Sequence, residues 1–201
     1  MEDVVLAIKN RRSIRRYKPI PVPIKPILQA LDVATSAPSA HNAQPWRFIV
    51  IKKDELKRKL ALAMGDSFRR DLIRDGLPMG EVEGKVQDSV TRFSKAPILI
   101  LVCLTMKGMD KYPDERRQVA EHAMAIQSVA AAIQNLLVAL HVKGLGSCWY
   151  CAPLFCQGEV KRVLGMPKDW EPQSLVTIGY PDETPPSSSK LDFDEVVRLD
   201  S

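Results

Sequence analysis

Residues 113–142 constrain the fold more than any other part of this chain. Ala123, Ile126, Ala130, Ile133, Leu137 and Leu140 recur there at helical spacing, and charges thin out after Glu121. A helix this long and this rich in alanine is expected to be buried on most sides, so other layers must pack around it. Candidate layers are present. Residues 97–104 carry the strongest strand pattern, residues 46–52 a second, the piece around Trp149 and Tyr150 a short third, and residues 174–179 a fourth. Gly144-Leu145-Gly146 closes the long helix. Shorter helical patterns cover residues 4–8, the face Ile27, Leu28, Leu31, Ala34, residues 54–64 and residues 155–164. The expected class is α+β, one domain spanning residues 1–201, with a few strands around a central helix.

Composition narrows the function classes. With 45% apolar and 26% charged residues the chain reads as soluble and globular. A net charge of +5 is too mild to argue for nucleic acid, and no aromatic–basic stacking pattern accompanies it. The N-terminus carries Glu2 and Asp3 where a signal peptide has bases, and no apolar run approaches ~20 residues. A cytoplasmic protein without membrane or nucleic-acid partners is expected. Residues 65–93, polar and holding Gly76, Pro78, Gly80 and Gly84, read as a mobile helical excursion. The last twenty residues end in an apolar segment around Phe193, Val196 and Val197, too apolar for a free tail and suited to docking on a partner surface.

Three segments offer chemistry. The first, Arg11-Arg12-Ser13-Ile14-Arg15-Arg16-Tyr17, puts Arg11, Ser13 and Arg15 on one side if extended. Two guanidinium groups flanking a hydroxyl form a phosphate or ring-oxygen clamp, although a merely solvated basic strand has the same sequence. The second, Pro38-Ser39-Ala40-His41-Asn42-Ala43-Gln44-Pro45-Trp46, is a loop rich in uncharged donors and acceptors between a helix and a strand. That chemistry suits a neutral heterocycle or phosphate ester, and an ordinary turn reads the same way. The third, Gly144-Leu145-Gly146-Ser147-Cys148-Trp149-Tyr150-Cys151, lets backbone N–H groups approach a ligand, or simply caps the helix. Cys148, Cys151 and Cys156 form a C-x2-C-x4-C cluster, but a tetrahedral site needs a fourth ligand and the histidines are dispersed, so no metal site is expected. Cys103 reads as a small buried core residue.

The order R-R-S-x-R, A-P-S-x-x-N-x-Q-P-W, G-x-G-S-C-W and V-T-I-G-Y-P resembles the FMN-dependent nitroreductase family over residues 4–197. Within it the A-P-S-A-H, G-L-G-S-C-W and D-W-E-P wording is similar to the flavin-binding C-terminal domain of F420 γ-glutamyl ligases. The resemblance implies a nitroreductase-like fold with a central mixed or antiparallel sheet packed around a long buried helix, and a C-terminal extension docking on the partner subunit. It also implies a homodimer with FMN at the subunit interface. Arg11, Arg12, Ser13, Ile14 and Arg15 would then hold the flavin phosphate and pyrimidine edge, with Arg15 giving electrostatic support to the reduced flavin. Pro38, Ser39, Ala40 and Asn42 would reach the same flavin from the other subunit. Tyr150 and Cys151 would lie near N5, and Lys190 would contact the phosphate. Cys151 stands where the family commonly has glycine.

The implied activity is hydride transfer from NADH or NADPH by way of FMN to an electron-poor small molecule, a nitroaromatic, quinone or similar. The flavin carries the chemistry, so no side chain is expected to be catalytic. Two alternatives stand beside it: a reductase acting on or binding a deazaflavin (F420-type) cofactor, and a non-enzymatic flavin or thiol-metal binding protein.

Overall fold

A computed structural model describes residues 4–200. Its four strands, β1 (Trp46–Ile51), β2 (Ile98–Leu104), β3 (Gly146–Tyr150) and β4 (Glu171–Gly179), form one sheet in the order β1-β2-β4-β3. Every neighbouring pair is antiparallel, so the mixed option is set aside. All seven residues of β2 are buried because helices cover both faces of the sheet. Alternation then splits β2 between two cores. Ile98, Ile100, Val102 and Leu104 join a cluster with α2 (Ile24–Thr35) and α5 (Glu115–Val142). Leu99, Leu101 and Cys103 join another with Leu60, Met64 and Val160, from α3 (Asp54–Arg74) and α6 (Gln157–Leu164).

The central helix differs from its expectation in one respect. α5 starts at the N-cap Asp114, whose side chain accepts the Arg117 N–H, and ends before Gly144 at φ 73°. Its buried stripe is Ala125, Val129, Ala132, Ile133, Leu136 and Leu140. Ile126, placed on the inner face by periodicity, is exposed, as are Val119 and Val142. The helix is therefore buried on one side and presents an apolar face outward. Its length and composition would suffice to cross a membrane; packing on the sheet and on α2 accounts for the apolarity of the inner side.

Residues 65–93 are more regular than their composition suggests. The helix expected over 54–64 continues to Arg74, and α4 (Met79–Lys95) returns against it. Gly65 is no breaker, because a Cβ there would sit 2.7 Å from Val90 Cγ2 and hold the two helices apart. Leu72, Val82 and Val86 form a small core of their own under the charged surface. The first helix, α1 (Val4–Asn10), leads into the arginine segment. Past β4 the chain continues as an exposed extension with one short helix, α7 (Phe193–Val196), that leaves Leu191, Phe193, Val196 and Leu199 open to solvent.

Candidate functional site

The arginine segment runs along the β3 edge of the sheet. Ser13 bridges Ser147 in parallel fashion, and the Ile14 N–H donates to the Ser147 carbonyl at 3.0 Å. Three contacts fix this line. Ile14 is buried against Gly146, where a Cβ would come within 2.8 Å of it. Beneath, the Tyr17 hydroxyl lies 2.6 Å from Thr177 Oγ1 and within reach of the Ile14 carbonyl; burial pushes this phenol well above its usual range. Glu183, beyond β4, accepts the Arg15 and Arg16 N–H groups and pairs with the Arg16 guanidinium at 3.1 Å. Burial opposes its charge, but these three donors hold its carboxyl below the usual carboxylate range.

Arg16 is thereby used inside the chain, whereas Arg11, Arg12 and Arg15 pair with no carboxylate among the described residues. Arg12 donates to the carbonyls of Lys9 and Arg11, close to the C-terminal end of α1, and Arg15 Nη1 lies 3.4 Å from the Ser13 carbonyl. Three guanidinium groups that pair with no carboxylate among the described residues keep their charge available to an anion.

Tyr150 and Cys151 finish the same edge, because β3 carries them past Ser147. The Tyr150 ring meets Phe93 edge to face at 5.3 Å and lies 5.4 Å beneath the Arg92 guanidinium. Its hydroxyl is buried without a hydrogen-bond partner among the described residues. Burial, then the neighbouring Cys148 thiol, raise its pKa, while the charges of Arg92 and Arg15 pull the other way. Arg15 is therefore near enough for its field to reach this ring.

Beyond Tyr150 and Cys151 opens a cavity of about 880 Å³ between α3, α4 and the turn after β3. Phe68, Phe93 and Phe155 supply apolar walls, with Asp71, Asp88 and Arg92 among the charged groups. No motif in the sequence marks these residues; the one signal is that Phe93 follows Val82 and Val86 at helical spacing. Of the cysteines, Cys151 is exposed and Cys103, Cys148 and Cys156 are buried. Burial pushes the Cys103 thiol to about 12 and Cys156 to about 11. No cysteine belongs to a metal-sized group of donors among the described residues.

The other expected residues lie elsewhere. Pro38, Ser39, Ala40 and Asn42 precede β1, at the far edge of the sheet. The registers put Ser147 level with Ile178 and Ile98, whereas Trp46 is level with Leu104 and Glu171. Three strand spacings and six residues along a strand separate the two places, about 14 Å across and about 20 Å lengthwise. They occupy diagonally opposite corners. The loop is rigidly built: Ser39 Oγ accepts the Gln44 N–H, Ala40 N–H donates to Ser128 Oγ on α5, and the Pro45 carbonyl accepts from Thr105. His41, Asn42 and Gln44 all have φ near +50°, a concentration of left-handed non-glycine residues typical of functional loops. Lys190 sits in the exposed extension, and among the described residues no ion pair or hydrogen bond joins it to the arginine edge.

The chain is thus an α+β sheet covered on both faces, with an arginine segment on one edge beside a large partly apolar cavity. The chain belongs to the nitroreductase family, whose model matches residues 8–180. It is 33% identical over 196 residues to a protein of Methanothermobacter thermautotrophicus that carries the provisional name NADH dehydrogenase/NAD(P)H nitroreductase; the match covers 96% of this chain and 85% of that one. The BluB-like flavoprotein of Clostridium difficile 630 superposes over the full length of both chains with a TM-score of 0.83 at 24% identity. Oxidized iodotyrosine deiodinase, solved with FMN and 3-iodo-L-tyrosine bound, superposes with a TM-score of 0.76 at 26% identity, over 99% of this chain and 100% of that one.

Proposed function

We propose that the chain is an FMN-dependent oxidoreductase that works as a homodimer, takes hydride from NADH or NADPH and reduces an electron-poor small molecule held in the cavity at Cys151. The observation that carries this reading is the arginine edge: the guanidinium groups of Arg11, Arg12 and Arg15 pair with no carboxylate among the described residues, on the segment beside Ser13 and β3 that leads to the cavity.

The residues fit FMN. A phosphate would meet the guanidinium groups that pair with no carboxylate, and the planar ring would lie along the Tyr150–Cys151 end of the same edge. FMN, when bound, supplies the capacity to accept and pass on a hydride. The chain's own contribution is position and charge. Arg15, fixed through its backbone by Glu183, would lend positive charge to a bound, reduced flavin. Phe93 and Tyr150 exclude water from one wall of the cavity.

Support for a dimer comes from the diagonal separation of the two groups of family-matched residues. One chain cannot bring Ser39 and Asn42 to Arg15, but the loop of a second chain can supply them. The outward apolar side chains Val119, Ile126, Leu191, Phe193 and Val196 give such a chain surface to cover. The four cysteines, all free among the described residues, fit a reducing cytoplasm.

An absorbance spectrum of the purified protein tests the assignment. A flavin spectrum is expected, bleached anaerobically by NADH or NADPH. A colourless protein that fails to take up FMN would overturn it.

A further inference from the structure

Away from the arginine edge, His41 of the 38–46 loop meets two carboxylates from separate parts of the chain. His41 Nε2 lies 3.3 Å from Glu121 Oε1 and 3.9 Å from Asp110 Oδ2, and all three ligand atoms fall within 4.8 Å of one another. Glu121, near the start of α5, is completely buried. Its Oε1 accepts the Asp110 N–H at 3.0 Å, while its Oε2 has no partner among the described residues. Asp110 and His41 are about half exposed, so the group opens to solvent on one side.

We propose that His41, Asp110 and Glu121 bind a first-row divalent transition cation of the zinc type. Glu121 Oε1 already meets His41 and the Asp110 N–H, and the Oε2 of the same fully buried carboxylate is orphaned among the described residues; a cation gripped by both oxygens would satisfy it. A neutral imidazole and two carboxylates together carry the charge that one dication balances. Pairing with an imidazolium would occupy one side of the Glu121 carboxylate and leave Oε2 as it is.

The geometry is close to that of a metal site. Zinc bonds of about 2.0–2.2 Å put tetrahedral ligand atoms about 3.3–3.6 Å apart. The His41–Glu121 spacing is already there, and the half-exposed Asp110 side chain, 3.9 Å from His41 and within 4.8 Å of the Glu121 ligand atom, would swing inward to complete the set. The imidazole selects zinc, iron, cobalt or nickel over magnesium and calcium. Three protein ligands leave a fourth position for water or a small anion, the open kind of site.

The flavin assignment does not enter, since the readout is metal alone. The purified full-length protein, stripped with a chelator, is titrated with Zn²⁺ in competition with a chromophoric chelator. One Zn²⁺ per chain is expected, with His41→Ala and Glu121→Gln each weakening binding at least about tenfold. Co²⁺ bound in the same site should show no thiolate charge-transfer band, which separates this site from Cys151. Failure of the native chain to compete for Zn²⁺, undiminished binding in both variants, or a thiolate band would each overturn the proposal. Circular dichroism checks folding, and if Glu121→Gln does not fold, the exposed His41→Ala decides alone.

Discussion

Cys151 and Glu183 show how little a residue's type says without its surroundings. The C-x2-C-x4-C spacing suggests three equivalent thiols, yet only Cys151 among them faces solvent. Thiolates react and thiols do not, so Cys156, at about 11, stays protonated and inert at neutral pH. Iodoacetamide should therefore label the native protein at Cys151 alone, as peptide mass mapping would show, with Cys103, Cys148 and Cys156 modified only after denaturation. Glu183 lies just past the V-T-I-G-Y-P motif, outside every family-like motif, and it is the clasp of the arginine segment. Its folded pKa is depressed, so its stabilisation is present above the ordinary value of 4.5 and is lost as pH falls through the lower folded value. The melting temperature of Glu183→Gln should lie below that of the native chain at neutral pH. The gap should close on acidification below that value; a gap that persists in acid would show that the carboxylate charge is not the source.

At the scale of elements, β3 and the segment beside it act as one unit because Gly146 lets Ile14 settle onto the strand. A methyl group there would lie 2.8 Å from Ile14 and push the arginine line away. Gly146→Ala should cost about 1–3 kcal/mol by urea denaturation and weaken FMN binding, since Ser13 and Arg15 move with Ile14. The strands and α5 were legible in the sequence because each obeys its own period, alternation in β2 and a 3.6-residue stripe in α5. The exact face of α5 was not, because Ile126 and Ile133 look alike until packing chooses between them. The α3–α4 hairpin was hidden for a different reason. Its apolar residues are sparse, and its glycine at 65 serves close helix packing, a role that composition cannot distinguish from a turn. The motif residues of the candidate site were legible by name. That Arg15 and Asn42 stand at opposite corners was not, for strand order and register are long-range facts.

For the whole molecule, surface is the main issue. The extension after β4 spends Leu191, Phe193, Val196 and Leu199 on solvent, and α5 does the same with Val119 and Ile126. Burying such residues contributes roughly 25 cal/mol for each Å² withdrawn from water, which a second copy of the chain can supply. Deleting residues 191–201 should shift the protein toward monomer in sedimentation velocity and loosen FMN with it. A truncated chain that stays dimeric with full flavin content would assign the extension another role.

The diagonal separation of Arg15 from Asn42 has a genetic consequence. If each pocket takes its arginines from one chain and its loop from the other, Arg15→Ala and Asn42→Ala damage opposite halves of every pocket. In a mixed dimer both defects fall in one pocket, and the second is assembled wholly from native parts. Two inactive variants, unfolded and refolded together, should complement each other and recover about a quarter of the native sites, whereas a pocket contained within a single chain would recover nothing.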